Sequence, residues 1–316
     1  MSGKTLIRLP NWLGDLSMAL PLLRTLAQVE PDLVCFGGGQ YRQLLQYLGL
    51  KLDYRELPPK KPLWAYYRHF YRQRENFLRA ILLANSQRAD LEAWLLGAKE
   101  RWGIAWQGRA RLLLNRRYRL ENFALDPRHQ CEIWADFARF CGYENPIDYR
   151  PFALNEKRSA QITLIAGSAN TPKKRWSPEN YRALVAKIAS KFPDFALVLA
   201  GSPQDFAICE QISSASSAQN LAGKTDLVSF VQMLAKSALV IGNDTGGIHL
   251  ANCVGTPVIA LFGPTNAEKT KPHFAAPLSI IRPPNCPATG GGNIEDISVE
   301  MVFRAVEEQL AAGCLK

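Results

Sequence analysis

Leu239-Val-Ile-Gly-Asn-Asp-Thr-Gly-Gly-Ile-His249 is the stretch of sequence that decides the fold, and Pro257-Val-Ile-Ala-Leu-Phe-Gly-Pro-Thr265 follows it. Apolar residues run up to Asn243-Asp244, which predicts a strand, and Thr245-Gly246-Gly247 then opens a helix before a second strand. The first N–H groups of a helix lack partners within it and lie at the positive end of its dipole, so they favour an anion such as a diphosphate. The alternative is that Asp244 and Thr245 only cap the helix and the glycines only turn the chain.

A second connection between a strand and a helix carries three consecutive cations. Residues 161–166 are apolar enough for a buried strand, and the polar loop after them contains Lys173, Lys174 and Arg175. The following Ser177-Pro178-Glu179 is typical of a helix start. Thr171 and Lys174 suit a nucleotide diphosphate if this loop lies beside the Asp244 turn. The alternative is that the three cations are solvated on the surface.

The first apolar run of the chain leads to an acidic residue. Residues 5–10 predict a short strand, and Asn11-Trp12-Leu13-Gly14-Asp15 joins it to an amphipathic stretch over residues 16–26. Asp15 is therefore expected at the carboxyl edge of the first strand, which faces the ligand crevice in an open α/β sheet. The alternative is that Asp15 is only the N-cap of the helix.

Apolar runs alternate with amphipathic stretches along most of the chain, as they do in βαβ units. A chain of 316 residues exceeds the usual size of one compact core, and a polar, proline-containing segment near residues 151–159 separates two such series. After Ser298, apolar residues at helical spacing predict a last helix. The sequence therefore predicts an α/β protein with two domains built on parallel sheets.

Cysteine and histidine usage narrows the class of protein. The seven cysteines form no Cys-x-x-Cys pair, which favours a reducing compartment and core packing over disulfides or zinc. The sequence contains no run of eighteen apolar residues, and Arg8, Pro10 and Asp15 interrupt any signal-peptide core, so neither a membrane span nor secretion by that route is expected. The four histidines are scattered and no Asp-x-Asp pair occurs, so we expect no metal ion and no cofactor.

The net charge of +10 comes from one segment. Between Lys51 and Arg119 there are sixteen lysines and arginines against six acidic residues, a surplus of ten. Residues 62–74 interleave aromatic side chains with cations, a pattern that suits an anionic membrane face. Nucleic-acid binding is a rival interpretation, and a solvated basic helix with its aromatic residues in the core is a third.

Taken together, these segments resemble glycosyltransferase family nine, the ADP-heptose:lipopolysaccharide heptosyltransferases. Asn11-Trp-Leu-Gly-Asp15 with Leu22-Leu-Arg-Thr-Leu26 resembles the opening motif of that family, Lys174-Arg-Trp-Ser-Pro178 its phosphate loop, and Asn243-Asp-Thr-Gly-Gly-Ile-His249 its signature. Leu83-Ala-Asn-Ser86 and Trp102-Gly103 are similar to the branch that adds the second heptose. The match covers most of the chain in order, although residues 41–78 contain no recognised motif.

The resemblance implies an architecture of two Rossmann-like domains with a cleft between them, the GT-B type. An acceptor-binding domain is expected over residues 1–156 and a nucleotide-sugar-binding domain over residues 157–297. The final helix, over residues 298–316, is expected to pack back on the first domain.

The resemblance also implies an activity and a location. We expect an inverting transfer of heptose from ADP-heptose to the acidic inner core of lipopolysaccharide, catalysed at the inner face of the bacterial inner membrane by a cytoplasmic, peripheral protein. Its partners are then the nucleotide-sugar donor and an acidic glycolipid, and no nucleic acid. The alternatives are a family member that uses another nucleotide sugar, a nucleotide-sugar epimerase of similar fold, and a non-catalytic nucleic-acid binder.

The expected site residues divide by role. Asp15 is the predicted base for the acceptor proton, and Lys174 is predicted to neutralise the departing diphosphate. Asp205 stands where the family places a ribose-binding acid, and His249 either donates to the nucleotide sugar or is a satisfied core histidine. The donor-binding set is Thr171, Lys174, Asp205, Asp244, Thr245, Gly246, Gly247 and His249. The acceptor-binding set is Asn11, Trp12, Arg68, Arg72 and Arg74.

Overall fold

The computed structural model describes residues 3–122, 125–168 and 171–313, and the chain divides into two compact units after Asp148. The division therefore lies a little before the predicted boundary at residue 156. Backbone hydrogen bonds explain the difference. The Phe152 N–H donates to the Cys253 carbonyl at 2.8 Å, and the Ala275 N–H donates to the Tyr149 carbonyl at 2.9 Å. These bonds tie the connecting segment to the second unit.

The first unit is a parallel six-stranded sheet whose strands alternate with helices, as the sequence predicted. Its elements in chain order are β1 (Lys4–Arg8), α1 (Leu13–Val29), β2 (Leu33–Gly37), α2 (Gln40–Tyr47), β3 (Asp53–Glu56), α3 (Leu63–Arg72), β4 (Phe77–Leu82), α4 (Gln87–Leu95), β5 (Glu100–Trp106), β6 (Arg116–Leu120) and α5 (Gln130–Phe140). The strand order is β3-β2-β1-β4-β5-β6, so the chain changes direction across the sheet between β1 and β4.

The second unit repeats this topology with a second parallel six-stranded sheet. Its elements are β7 (Ser159–Ile165), α6 (Pro178–Lys191), β8 (Ala196–Leu199), α7 (Phe206–Ser213), β9 (Gln219–Asn220), α8 (Leu227–Lys236), β10 (Ser237–Asn243), α9 (Gly246–Cys253), β11 (Val258–Leu261), α10 (Ala267–Thr270), β12 (Leu278–Ile281) and α11 (Val299–Gly313), with short 3-10 helices at Pro172–Lys174, Pro203–Asp205 and Ile294–Asp296. The order is β12-β11-β10-β7-β8-β9, so the change of direction falls between β7 and β10.

These two places are the topological switch points of the sheets. The paired strands end together: Arg8 is in register with Leu82 in the first sheet, and Gly242 with Ile165 in the second. The loops that leave neighbouring strands at a switch point diverge to opposite sides of the sheet and open a crevice at its carboxyl edge. The Asn11–Asp15 turn follows β1, and the Lys174 loop and the Asp244 turn follow β7 and β10.

Helix α11 exists as predicted, but it does not pack as the family resemblance implied. Its apolar side chains, among them Val302, Val306 and Leu310, lie in the core of the second unit with those of α6 and the sheet. Lys187 of α6 also forms a 2.8 Å salt bridge with Glu300. The expected return to the first domain is thus corrected, because the apolar face of this helix is buried within the second unit.

Residues 41–78, for which the sequence indicated no role, form α2, β3, α3 and the start of β4. Helix α3 is amphipathic, with Tyr66 and Phe70 buried in the core of the first unit. Residues two apart on a helix point in roughly opposite directions, so Trp64 and Arg68 lie on the outer side, where Trp64 is 66% exposed. The interpretation that the aromatic residues fill the core is therefore correct for the inner face and wrong for Trp64 and Tyr71.

The six cysteines in the described part of the chain are free, and all except Cys286 are buried. Burial raises the pKa of the Cys141 and Cys209 thiols to about 12. These two side chains are therefore protonated core residues, as the sequence predicted for the cysteines. Cys314 lies outside the described residues. No helix in the described segments is both long enough and apolar enough to cross a bilayer.

Candidate active site

Asp244, the residue directly after β10, is the centre of a polar cluster at the switch point of the second sheet. The Lys174 ammonium lies 2.7 Å from its Oδ2 atom, and the Thr265 hydroxyl donates to the same oxygen at 2.8 Å. The Nε2 atom of His249 lies 3.9 Å from Oδ1. The Asp244 carboxylate is therefore contacted by three elements, which are the loop after β7, the turn after β11 and the first turns of α9.

The surroundings of Asp244 keep it ionised. Burial alone would raise the pKa of this carboxyl, but the neighbouring His249 ring and the charge of Lys174 lower the pKa to about 2. An isolated buried carboxylate would be strongly destabilising, whereas one with a cation and hydrogen-bond donors around it is tolerated. His249 is only 5% exposed, and its ring reaches Asp244, so its observed contact is with the carboxylate rather than with solvent.

The three consecutive cations of the loop have three different environments. Lys173 is exposed, which agrees with the solvated alternative. The Arg175 Nε–H donates to the Ser168 carbonyl at 3.1 Å and holds the loop against itself. The Lys174 side chain is 24% exposed while paired with Asp244. Only Lys174 is thus presented to the switch point with part of its surface accessible.

Asn243 fixes the position of this loop, a role that sequence analysis missed. Its Oδ1 atom accepts from the Trp176 N–H at 3.2 Å and from the Tyr181 hydroxyl at 3.1 Å, and its Nδ2 atom donates to the Ala166 carbonyl at 2.8 Å. Trp176 is fully buried, and its indole N–H donates to the Ile297 carbonyl at 2.9 Å. The end of β10 is thereby joined to the loop that carries Lys174.

Thr245 is the N-cap of α9, but its side chain makes no capping hydrogen bond. Its hydroxyl oxygen is buried and has no hydrogen-bond partner among the described residues. The simple capping alternative therefore does not account for this hydroxyl, and buried polar atoms of this kind usually have a partner. Gly246 and Gly247 begin the helix. A Cβ on Gly247 would lie 2.6 Å from Ile165 Cδ1, so close packing of helix on strand also requires this glycine.

Asp205 lies after β8 at the same edge of the sheet and is 6% exposed. Its Oδ2 atom accepts from the backbone N–H and the hydroxyl of Ser202, at 3.0 and 2.7 Å. Its Oδ1 atom is buried and has no partner in the described part of the chain. A Cβ on Gly167, just after β7, would lie 2.1 Å from Asp205 Cγ, so only a glycine lets the carboxylate approach this loop. Thr171 is the N-cap of the 3-10 helix that contains Lys174.

In the first unit, Asp15 is the third residue of α1, and Trp12 is the N-cap. The alternative in which Asp15 is the N-cap is therefore wrong. Asp15 is half-buried, whereas Asn11 and Trp12 are exposed, Trp12 to 62%. The Asn11 side chain accepts from Arg8 Nη2 at 2.9 Å, and its carbonyl accepts from the Tyr41 hydroxyl at 2.9 Å. The predicted acceptor-side residues of this turn are thus together at the first switch point.

The other predicted acceptor residues, Arg68, Arg72 and Arg74, lie on α3 or just after it. All three are exposed, and none forms a salt bridge among the described residues. By contrast, Arg55 pairs with Glu75, and Arg111 pairs with Asp90 in the core. The outer face of α3 and the residues just after it therefore carry three exposed cations without a salt bridge in the described part of the chain. The described residues contain no group of three or more His, Cys, Asp or Glu side chains placed to hold a metal ion.

Comparison with known proteins agrees with the resemblance stated above. The model of glycosyltransferase family 9 (heptosyltransferase) matches residues 67–282. The chain is 27% identical over 304 residues to lipooligosaccharide heptosyltransferase 2 of Haemophilus influenzae, a match that covers 86% of each chain.

Two solved structures show the same fold. The structure of E. coli ADP-heptose lps heptosyltransferase II is similar with a TM-score of 0.78 and 23% identity, covering 98% of this chain and 99% of that one. The structure of E. coli heptosyltransferase WaaC with ADP gives a TM-score of 0.77 and 18% identity, with 97% and 99% covered. Two parallel six-stranded sheets covered by helices are the GT-B-like architecture of those enzymes. This chain belongs to glycosyltransferase family 9, the heptosyltransferases.

Proposed function

We propose that the protein transfers heptose from ADP-heptose to the inner core of lipopolysaccharide, with inversion at the anomeric carbon. The observation that supports this most is the Lys174 ammonium, whose side chain is 24% exposed and lies 2.7 Å from Asp244, together with the buried Thr245 hydroxyl, which has no hydrogen-bond partner among the described residues. The names of the relatives support the choice of substrates, because one names ADP-heptose and another was solved with ADP. The family match does not favour the epimerase alternative.

The second unit supplies what a departing diphosphate needs. Negative charge grows on the diphosphate as its bond to the sugar breaks, and preorganised donors stabilise that charge. Lys174, the Thr245 hydroxyl and the first N–H groups of α9, at Gly246 and Gly247, are such donors. Asp244 is ionised and would repel phosphate, so its role is to orient Lys174 and to accept hydrogen bonds from sugar hydroxyls.

Asp205 and Thr171 complete the donor site in this proposal. The Oδ1 atom of Asp205 is a buried acceptor without a partner in the described residues, and it suits a ribose hydroxyl at the edge of the sheet. Thr171 is the N-cap of the 3-10 helix that contains Lys174, so the Thr171 hydroxyl belongs to the same loop as the Lys174 ammonium. His249 touches Asp244 in the structure, and its proposed contribution is to hold that carboxylate in place for the donor.

Asp15 is the proposed base. An acceptor hydroxyl oxygen attacks the anomeric carbon, the bond from that carbon to the diphosphate oxygen breaks, and Asp15 takes the hydroxyl proton while ADP leaves. A half-buried carboxylate in the first turn of α1, at the switch point of the sheet, is suited to this task. Asn11 and Trp12, exposed beside it, are the proposed acceptor contacts of the turn.

The outer face of α3 is the proposed contact with the glycolipid and its membrane. Trp64 and Tyr71 are 66% and 60% exposed, and Arg68, Arg72 and Arg74 surround them without salt bridges in the described residues. Aromatic rings and cations on one helix face suit an anionic lipid surface, where basic residues are attracted to acidic headgroups. The protein would then act at the cytoplasmic face of the membrane as a peripheral enzyme.

The experiment is a transfer assay with purified protein, ADP-heptose and a lipopolysaccharide acceptor that lacks the heptose. Formation of the heptosylated product supports the proposal, and a panel of other nucleotide sugars tests the donor. A true donor at a hundredfold over its dissociation constant should stabilise the protein by about 2.7 kcal/mol in thermal shift. Conversion of the donor without acceptor would identify an epimerase. Steeply salt-dependent binding of DNA or RNA without transfer would identify a nucleic-acid binder.

A further inference from the structure

A buried chain of polar contacts joins α3 to the turn before α1. Glu92 of α4 lies at its centre. Its Oε2 atom accepts from Arg8 Nε at 2.6 Å, and the Tyr66 hydroxyl of α3 donates to its Oε1 atom. Arg8 in turn donates from Nη2 to the Asn11 side chain at 2.9 Å. We refer to Tyr66, Glu92 and Arg8, which lead to the exposed Asn11, as the buried relay.

Stability is a weak explanation for the buried relay. Tyr66, Glu92 and Arg8 are each no more than 4% exposed. Removing both charges of an ion pair from water costs about as much as the pair regains, and apolar residues of similar size are often as stabilising. Both oxygens of Glu92 are nevertheless occupied by donors from two different elements. Such a pair is better suited to fixing the geometry of those elements than to strengthening the fold.

The protonation of Tyr66 supports this geometry. Burial raises the pKa of the Tyr66 hydroxyl well above its ordinary value, and the nearby charge of Glu92 raises it further. Tyr66 therefore keeps its proton and remains a hydrogen-bond donor over the range in which an enzyme works.

The buried relay reaches the turn before α1 through Asn11. Trp12 is the N-cap of α1 and makes no side-chain capping bond. The turn is instead held through Asn11, whose side chain accepts from Arg8 and whose carbonyl accepts from Tyr41. Asp15 follows within the first turn of the helix. The contacts of Asn11 with Arg8 and Tyr41 therefore contribute to the position of Asp15.

We propose that Glu92 is a positioning residue for the transfer reaction: through Arg8 it holds the Asn11–Asp15 turn, and through Tyr66 it holds α3 in a fixed relation to that turn. This inference rests on the proposed role of Asp15. Helix α3 carries Arg68 and Arg72 on its outer face, so the buried relay keeps the acceptor-binding cations and the base at a set spacing.

The test compares Glu92→Gln with the wild-type protein. Glutamine keeps the size of the side chain but leaves the Arg8 charge unpaired in the core. We expect hydrogen exchange of the backbone amides at residues 12–16 to quicken about tenfold, because opening of the turn becomes easier. We expect kcat of transfer to fall roughly 10- to 100-fold, because a misplaced base loses that much, while the ADP dissociation constant is unchanged.

Tyr66→Phe is the second variant and removes one hydroxyl from the buried relay. Its matched control is Tyr143→Phe in the same unit. The Tyr143 hydroxyl also bonds a glutamate, Glu30, which is the C-cap at the other end of α1. Tyr66→Phe should quicken exchange at residues 12–16 and lower kcat in the same direction as Glu92→Gln. Tyr143→Phe should do neither.

Two outcomes would overturn the proposal. Exchange at residues 12–16 that stays at the wild-type rate in both relay variants would overturn it. Equal quickening in Tyr143→Phe would also overturn it, because the effect would then be general loosening of the unit. If Glu92→Gln does not fold, the exchange rates and kcat of Tyr66→Phe alone test the proposal. A wild-type protein without any transfer activity would end the proposed function, whereas the exchange measurement would still show whether Glu92 positions the turn.

Discussion

The switch points of the two sheets have the same topology, but their ion pairs differ in solvent exposure. In the first unit, Arg8 and Glu92 are enclosed, with side chains 4% and 2% exposed. In the second unit, Asp244 is 6% exposed, but its partner Lys174 is 24% exposed. A charged side chain buried in the interior contacts only neighbouring side chains, whereas a partly exposed charged side chain at a crevice can also contact a ligand. Topology locates the crevice, and the greater exposure of Lys174 supports the proposal that its pair, rather than the Arg8–Glu92 pair, contacts the substrate.

The largest effect is expected at the first switch point. Asp15→Asn removes the proposed base and should lower transfer roughly 10²–10⁴-fold, with ADP affinity unchanged. Loss of a charge in the first turn of α1 should cost only about 0.3–1 kcal/mol of stability.

A suitable control for this variant is Glu179→Gln, which removes an exposed acid from the first turn of α6. It should leave transfer unchanged. Wild-type rates in Asp15→Asn would contradict the mechanism and leave only a nucleotide-binding role.

At the second switch point, Lys174→Ala should lower turnover roughly 10²–10³-fold and weaken ADP binding, because one preorganised donor to the leaving diphosphate is lost. Lys173→Ala is the matched control, since Lys173 is the exposed neighbour in the same loop. Steady-state kinetics and ADP titration of the two variants distinguish a lysine that stabilises the diphosphate from a lysine that is only solvated on the surface. Equal turnover and equal ADP affinity in the two variants would show that the position of Lys174 beside Asp244 does not contribute to transfer.

Acid sensitivity provides a third test. The pKa of Asp244 falls from 3.8 to about 2 in the folded protein, which corresponds to about 2 kcal/mol of stability. Because the folded pKa is the lower one, this contribution is present above pH 4 and is lost as the pH falls towards 2. The difference in unfolding free energy between wild type and Asp244→Asn should shrink by that amount over this interval. A difference that does not depend on pH would contradict the pairing.

A smaller effect is expected on the outer face of α3. Reversing the charges of Arg68, Arg72 and Arg74 to glutamate should raise the acceptor KM about tenfold, leave ADP binding unchanged, and matter less at high salt. The control reverses the same number of exposed charges elsewhere in the first unit, at Lys51, Lys99 and Arg119. If both triple variants raise KM equally, then total charge rather than α3 attracts the acceptor.

No effect at all is expected from chelation. In the proposed site, Lys174, the Thr245 hydroxyl and the α9 N–H groups would provide for the diphosphate what a metal ion provides in enzymes with an Asp-x-Asp pair. Transfer activity measured in EDTA should equal that in buffer alone. Loss of activity in EDTA and its recovery with magnesium or manganese would show that a cation shares the second switch point.

The proposed base and much of the proposed donor site could be predicted because these residues lie in segments that follow strands. Lys174 and Asp244 come after two apolar runs, and the crevice rule then brings them together although they are 70 residues apart. Glu92 could not be found in this way. Its partner Arg8 lies 84 residues away, and nothing in the pattern of α4 shows what a polar residue on its inner face will meet.

The same limit explains the error about α11. Helical spacing of Val302, Val306 and Leu310 defines an apolar face, but it does not say which sheet covers that face. The family resemblance implied that α11 packs on the first domain, whereas the structure places its apolar face in the core of the second unit.

The placement of α11 has a consequence for biosynthesis. The first unit is continuous up to Asp148, so a nascent chain contains all of its sheet while the second unit is still being made. The second unit obtains part of its core, including Phe303 and Val306, from the element that is translated after all its strands. Domains generally fold as units during synthesis. On the ribosome, the first unit would therefore fold first, and the second unit could complete its core only after α11 has been synthesised.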